Sequence, residues 1–221
     1  MNALAKSDAE NSVEQAQRIV RTVEELDYVS PNSVLYNSLI DCITKNGGMD
    51  APSQAEDVLA KMRLMQKEGL SDVQPNSYAY SMVLTCCARS QDNAAAERAD
   101  RILMNMEQMY EDGHSDVIAN DRCYSAVITA WARNGSNNAV YRSLELLDRM
   151  ERNLKENRAH GKPNAHCYNA CIHAIAKSAL SGSEKAEKCQ EIIQRMLGKK
   201  EKGLHESAPT LVTYSTILNG K

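Results

Sequence analysis

The side chains with the strongest claim to chemistry sit in one short run, His166, Cys167, Cys171 and His173. Imidazole and thiolate are ligands that zinc accepts. Their spacing argues against a metal centre. On one helix the two histidines share a face and the two cysteines share another, turned by about 100°. Four ligands cannot converge from there. The repeat register described below puts Cys171 where Leu39, Val83 and Val127 stand, and Cys42 and Cys86 where Ala130 and Ala174 stand. These thiols therefore read as small buried apolar groups. The seven cysteines form no C-x-x-C pair, and an odd number opposes a disulfide framework, which points to a reducing compartment. No phosphate-binding loop, H-E-x-x-H or H-x-E with C-x-x-C is present. The chain is read as a non-enzyme with no catalytic residue, metal or cofactor, and no small-molecule substrate is implied.

A different set of polar residues recurs at fixed spacing. Tyr36, Tyr80, Tyr124, Tyr168 and Tyr214 are separated by 44, 44, 44 and 46 residues. Met62, Met106, Met150 and Met196 follow the first four tyrosines by 26, 26, 26 and 28. Two registers held over four periods mark an internal repeat. Nine residues after each complete-repeat tyrosine stands a cation: Lys45, Arg89, Arg133 and Lys177. Directly after the tyrosine stands a short amide or hydroxyl: Asn37, Ser81, Ser125 and Asn169. Such groups both donate and accept without filling space, which suits contact with a flat polar edge.

The elements that position these residues are helix pairs. The first helix, such as Ser33 to Lys45, is apolar at Val34, Leu35, Leu39, Ile40 and Ile43 and opens after Pro-Asn, where Asn caps. It closes on Lys45 and Asn46-Gly47. The second helix, such as Ala55 to Glu68, buries Val58, Leu59, Met62 and Met65, with glycines 69, 113 and 203 at the helix ends. No stretch alternates with period two. The chain is expected to begin in a second helix (Val13 to Leu26) and stop in a first helix (Leu211 to Asn219), as a fragment of a longer array would. Helix pairs of this size bury their apolar faces only by stacking. The expected fold is all-α, a right-handed α-solenoid in a single array. Its repeats are 33–76, 77–120, 121–164 and 165–210, with partial repeats at 13–32 and 211–221. Trp131 aligns with Ile43, Cys87 and Ile175 and is assigned to the core, as is the methionine ladder.

In this register the pattern P-N-x-x-x-Tyr-[Asn/Ser]-x-x-Ile/Leu, with its later cation and distal Met, resembles the pentatricopeptide repeat over Val13 to Lys221. These repeats are longer than that family's usual unit, which affects superhelix pitch and base spacing. The resemblance implies single-stranded RNA binding, one base per repeat. It implies base-edge pairs Asn37 with Asn76, Ser81 with Asn120, Ser125 with Asn164, and Asn169 with Thr210. Base-stacking positions fall on Val34, Tyr78, Arg122 and His166, with Val212 in the last partial repeat. The four cations would face phosphate. Read through the family's pairing rule, the array prefers a pyrimidine, then adenine, then adenine. The family also implies a mitochondrion or plastid and a role in RNA processing, stability or translation.

Each residue has a simpler role as well. Asn32, Asn76, Asn120 and Asn164 are helix caps in their own right. A cation at a helix C-terminus is favourable by about 0.3–1 kcal/mol without any ligand. The rival reading is a helical-repeat scaffold for protein partners, and a second rival places a catalytic domain beyond these residues.

Charge offers an independent view. The chain carries a formal charge of -3 and a pI near 6.0, with no bulk basic field. The four first helices nevertheless sum to +3, against -6 for the rest. No apolar run approaches the roughly 18 residues of a membrane span. The first 25 residues, carrying Asp8, Glu10 and Glu14, resemble neither a secretory signal nor an acid-poor transit peptide.

Overall fold

The computed structural model describes residues 9–219 apart from positions 27, 47, 71, 91, 93, 115, 135–136, 157–160 and 202–204. Among the described residues the protein is all-α, with ten α-helices, one short 3-10 turn and no strand. The chain divides into two compact units, Met1–Ile118 and Ala119–Lys221. Unit 1 holds α1 (Ala9–Glu24), α2 (Ser33–Asn46), α3 (Ala51–Lys67), α4 (Ser77–Arg89) and α5 (Ala95–Glu111). Unit 2 holds α6 (Asp121–Asn134), α7 (Asn137–Lys155), α8 (Ala165–Lys177), α9 (Gly182–Glu201), a 3-10 turn (His205–Ser207) and α10 (Leu211–Asn219).

The first helices of the repeat are α2, α4, α6, α8 and α10. The first four open on the Asn cap their sequence suggests. Leu35 N donates to Asn32 Oδ1, and Cys123 N to Asn120 Oδ1. Asn76 Oδ1 accepts from Tyr78 N and Ala79 N, and Asn164 Oδ1 from His166 N and Cys167 N. Replacing Asn76 with Ala is expected to lower stability by about 1 kcal/mol, read as a shift in urea midpoint.

The second helices begin less predictably. α3 starts at Ala51, four residues before the expected Ala55, because Pro52 occupies the first turn where its missing amide hydrogen is no loss. α9 opens on a reciprocal pair, Ser181 N to Glu184 Oε2 at 2.9 Å and Glu184 N to Ser181 Oγ at 3.3 Å. α3 and α5 end on Gly69 and Gly113, whose φ of 99° and 96° suits only glycine. Leu70 N reaches Met65 O and His114 N reaches Met109 O, the six-to-one bond that closes such an end. Gly47 and Gly203, also assigned to helix ends, lie outside the described residues.

Packing repeats with the register. α2 contacts α1, α3 and α4, and α4 contacts α3 and α5. In unit 2, α8 contacts α6, α7, α9 and α10. Within each unit the first helices therefore lie side by side, flanked by second helices. Met62, Met106, Met150 and Met196 are all buried, as are Tyr36, Tyr80, Tyr124 and Tyr168. The tyrosines reach toward second helices: Tyr36 Oη donates to Glu24, Tyr168 Oη to Glu151, and Asn153 Nδ2 donates to Tyr124 Oη. Burial, reinforced by the Glu24 and Glu151 carboxylates, holds the Tyr36 and Tyr168 phenols well above their usual range. Tyr214 occupies the same register but is 48% exposed, and Leu218 is 65% exposed, because no second helix packs on α10 among the described residues.

A further contact closes each repeat of unit 1. The segment after α3 returns to the start of α2, where Ser33 N and Oγ both donate to Asp72 O. The segment after α5 returns to α4, where Ser77 N and Oγ donate to Asp116 O. Val73 and Val117 are buried under these latches.

Candidate functional site

With the tyrosines turned toward the second helices, the opposite face of each first helix is set by geometry. Positions two before, two after, five after and nine after Tyr follow helical spacing and form one outward stripe. In α2 these are Val34, Ser38, Asp41 and Lys45, and in α4 Tyr78, Met82, Thr85 and Arg89. In α6 they are Arg122, Ala126, Thr129 and Arg133, and in α8 His166, Ala170, His173 and Lys177. All are exposed or half-buried except the two small alanines. The stacking residue and the cation thus share a face, about 16 Å apart along the helix. Tyr78 is 53% exposed and Val34 70%, while Arg122 and His166 are exposed too. Three of these four side chains offer a flat surface to a base.

The cations differ in setting. Lys45 Nζ lies 2.6 Å from Asp41 Oδ2, one turn back on α2. Arg89, Arg133 and Lys177 have Thr85, Thr129 and His173 at the equivalent place. Lys45 and Arg89 line one cavity of about 370 Å³ in unit 1, with Thr44, Cys86 and Ser90. In unit 2 His173 feels both Lys177 and Arg133. In unit 1, then, two successive cations line one cavity.

The base-edge candidates are more deeply set. Ser81 and Ser125 are buried, and their hydroxyls donate three residues back, to Tyr78 O at 2.8 Å and Arg122 O at 3.2 Å. Asn76, Asn120 and Asn164 spend their side-chain oxygens on the helix caps described above. Asn164 Nδ2 also donates to Asp121 Oδ2 at 3.0 Å. Asn169 and Thr210 share one hydroxyl: Thr213 Oγ1 donates to Asn169 Oδ1 at 2.7 Å and accepts from Thr210 N at 2.9 Å. Asn37 differs. Its Oδ1 is buried without a hydrogen-bond partner. The register explains why, since Ala79 stands where Thr213 supplies a donor.

No protein-family model matches the chain, and none of the curated proteins matches its sequence.

The cysteines are all buried and free of disulfides. Burial pushes the Cys86, Cys123 and Cys167 thiols up to about 11 and Cys87 up to about 12. Such thiols are neutral and poor nucleophiles at neutral pH. Among the described residues no group of His, Cys, Asp and Glu is placed to hold a metal. No described helix is long and apolar enough to cross a membrane. Trp131 is buried, with the Arg142 guanidinium 5.9 Å from its ring.

Sequence spacing missed the contacts between second helices. Lys61 pairs with Glu24 at 2.6 Å, Arg98 with Glu56 at 3.4 Å, and Arg195 with Asp148 at 2.6 Å. Each partly exposed pair contributes about 0–1 kcal/mol. They draw cations of the second helices into internal pairs and away from a ligand.

Proposed function

We propose that this protein binds single-stranded RNA as a pentatricopeptide-like array, a right-handed α-solenoid of elongated repeats. The outward stripe of the first helices is the binding face. One observation carries the reading: in each complete repeat an exposed residue at the stacking position shares a face with a cation three turns away. Single-stranded nucleic acid is held by the same pair of features, a stacking platform and a charge that tracks the backbone. The stripe is basic within an acidic chain, which is where a local rather than a bulk field is needed. Asn37, with an unpartnered side-chain oxygen, is the base-edge residue whose bonding is least committed. In this reading Ser81 and Ser125 contact a base by rotating their hydroxyls off the carbonyls they now serve.

Selection from a random single-stranded RNA pool tests the proposal. Retained sequences should be enriched in 5′-YAA-3′, and Ser125→Asn should shift the third position alone toward a pyrimidine, since one side chain faces one base edge. A pool recovered without enrichment, or a shift at every position, would rule out repeat-by-repeat reading.

Asp41 has a place in this account. Its carboxylate holds Lys45 in an internal pair, so Asp41→Asn should release the ammonium and tighten RNA binding by about 1.5- to 5-fold at low salt, the range for an exposed pair. Fluorescence anisotropy with a labelled oligonucleotide reads this directly.

A further inference from the structure

Three second helices share one buried spacing: a small residue, a Leu one turn on, then a Met. It reads Ala55, Leu59 and Met62 in α3, Ala99, Leu103 and Met106 in α5, and Ser143, Leu147 and Met150 in α7. In α1 the same spacing falls on Ala16, Val20 and Val23, so α1 carries the pattern of a second helix. Its cover differs. α3 packs against first helices on both sides, α2 and α4, and α7 against α6 and α8, whereas α1 packs against α2. Met62, Met106 and Met150 are fully buried, but Val23 is only half-buried. One turn earlier, Ile102 and Leu146 are buried and Val58 is half-buried, while Ile19 is 41% exposed. α1 therefore keeps an apolar face that in α3 and α7 lies against a preceding first helix.

α10 has the converse deficit. Tyr214 and Leu218 stand where the complete repeats have Tyr36 and Ile40, Tyr80 and Leu84, Tyr124 and Ile128, and Tyr168 and Ile172. All eight of those are buried, yet Tyr214 and Leu218 are 48% and 65% exposed. The tyrosine hydroxyls show what covers this face inside a repeat. Tyr36 reaches Met65 of α3, Tyr80 reaches Met109 of α5, and Tyr124 meets Asn153 of α7. The missing cover of α10 is thus a second helix. α10 itself holds no charged side chain.

We propose that these two faces fit each other between molecules: α10 of one protomer is covered by α1 of a second copy, which completes a repeat across the junction. Ile19, Val23 and Leu26 of the second copy take the places that Val58, Met62 and Met65 hold against α2. The occupant is a second copy because the chain itself carries a helix of the required pattern whose matching face is uncovered. The junction is head-to-tail. Each protomer in it still has one α1 or one α10 free, so association continues beyond a dimer. One helix pair buries an area at the small end of the range for specific interfaces, so the association is weak and follows concentration. It is independent of the RNA-binding reading.

Sedimentation equilibrium of the intact chain, without RNA, from low to high micromolar concentration tests this. Wild type should move from the 24.5 kDa of one chain to more than twice that mass. Leu218→Glu and Ile19→Glu each place a charge on one of the two faces, and each variant alone should remain at one chain mass. Both side chains are exposed, so both variants should keep the circular dichroism of wild type. Mixed in equal amounts, they should form a species of twice the chain mass and nothing larger, since one intact α10 meets one intact α1. Wild type at one chain mass throughout would overturn the proposal. So would a loss confined to Leu218→Glu, the sign of α10 pairing with itself. A mixture that stays at one chain mass would overturn it too, by showing that the two faces do not meet.

Discussion

Gly161→Ala is expected to destabilise unit 2 by about 3 kcal/mol or more, at the upper end of what overpacking produces. A Cβ at Gly161 would lie 2.6 Å from Asp121 N and 2.7 Å from Asn120 C. Both are backbone atoms at the start of α6, so no side chain can swing aside to make room. Gly182, at the start of α9, has nothing within 4 Å of its would-be Cβ. Gly182→Ala should therefore change stability by no more than about 1 kcal/mol, and in the stabilising direction if the helix term dominates. Urea denaturation of the two variants beside wild type measures both. Equal midpoints for the two variants would mean that the segment before α8 is not seated against α6 as described.

The second large effect concerns binding. Changing Lys45, Arg89, Arg133 and Lys177 together to Gln should weaken RNA binding on the order of 10²-fold at 0.1 M salt. It should also remove up to about 3 from the slope of log affinity against log salt, the contribution of four backbone contacts to a single strand. The loss should be similar for every RNA sequence, because in the proposed binding mode these side chains would face the backbone. Lys45 should contribute least, since Asp41 already neutralises part of it. Folding should survive, because each cation contributes only about 0.3–1 kcal/mol at its helix end. An unchanged salt slope would make the ladder structural and favour a protein-binding scaffold.

Much of the fold was legible because the repeat displays its own register. The tyrosine and methionine spacings implied helix pairs, and the buried Tyr36, Tyr80, Tyr124 and Tyr168 with their methionines occupy one equivalent place. The Asn caps were legible for the same reason: Asn before an apolar run, after Pro at 31, 75 and 163 and after Ala at 119, has a local meaning that tertiary context did not override. The start of α3 was misplaced because its first turn carries Pro52 and no side-chain cap, so nothing polar announced it. The Ser181–Glu184 capping box was spelled out in Ser-Gly-Ser-Glu and went unread.

The candidate site was legible in outline only. The resemblance supplied the positions two before Tyr and the repeat register supplied the cations; that the two share an outward face emerged only with the structure. Helical spacing did not reveal that Ser81 and Ser125 would sink below the surface, because burial depends on how closely neighbouring first helices approach. Nor could spacing reveal the latches from Ser33 to Asp72 and from Ser77 to Asp116, which join residues 39 apart. The repeated Gly-x-Ser-Asp-Val before them was the available signal. Asp41 beside Lys45 was readable as a pair one helical turn apart, and its neutralising effect on the ladder follows directly.

The measurement closest to the central claim is an equilibrium titration of the intact chain with a short single-stranded RNA, repeated across a range of salt, beside an RNA duplex of equal charge. A face built from stacking platforms and a cation ladder should bind the single strand saturably, with a log–log salt slope near -3. It should prefer that strand to the duplex, whose bases are already stacked on one another. No binding at low salt, or equal binding of strand and duplex, would contradict the account.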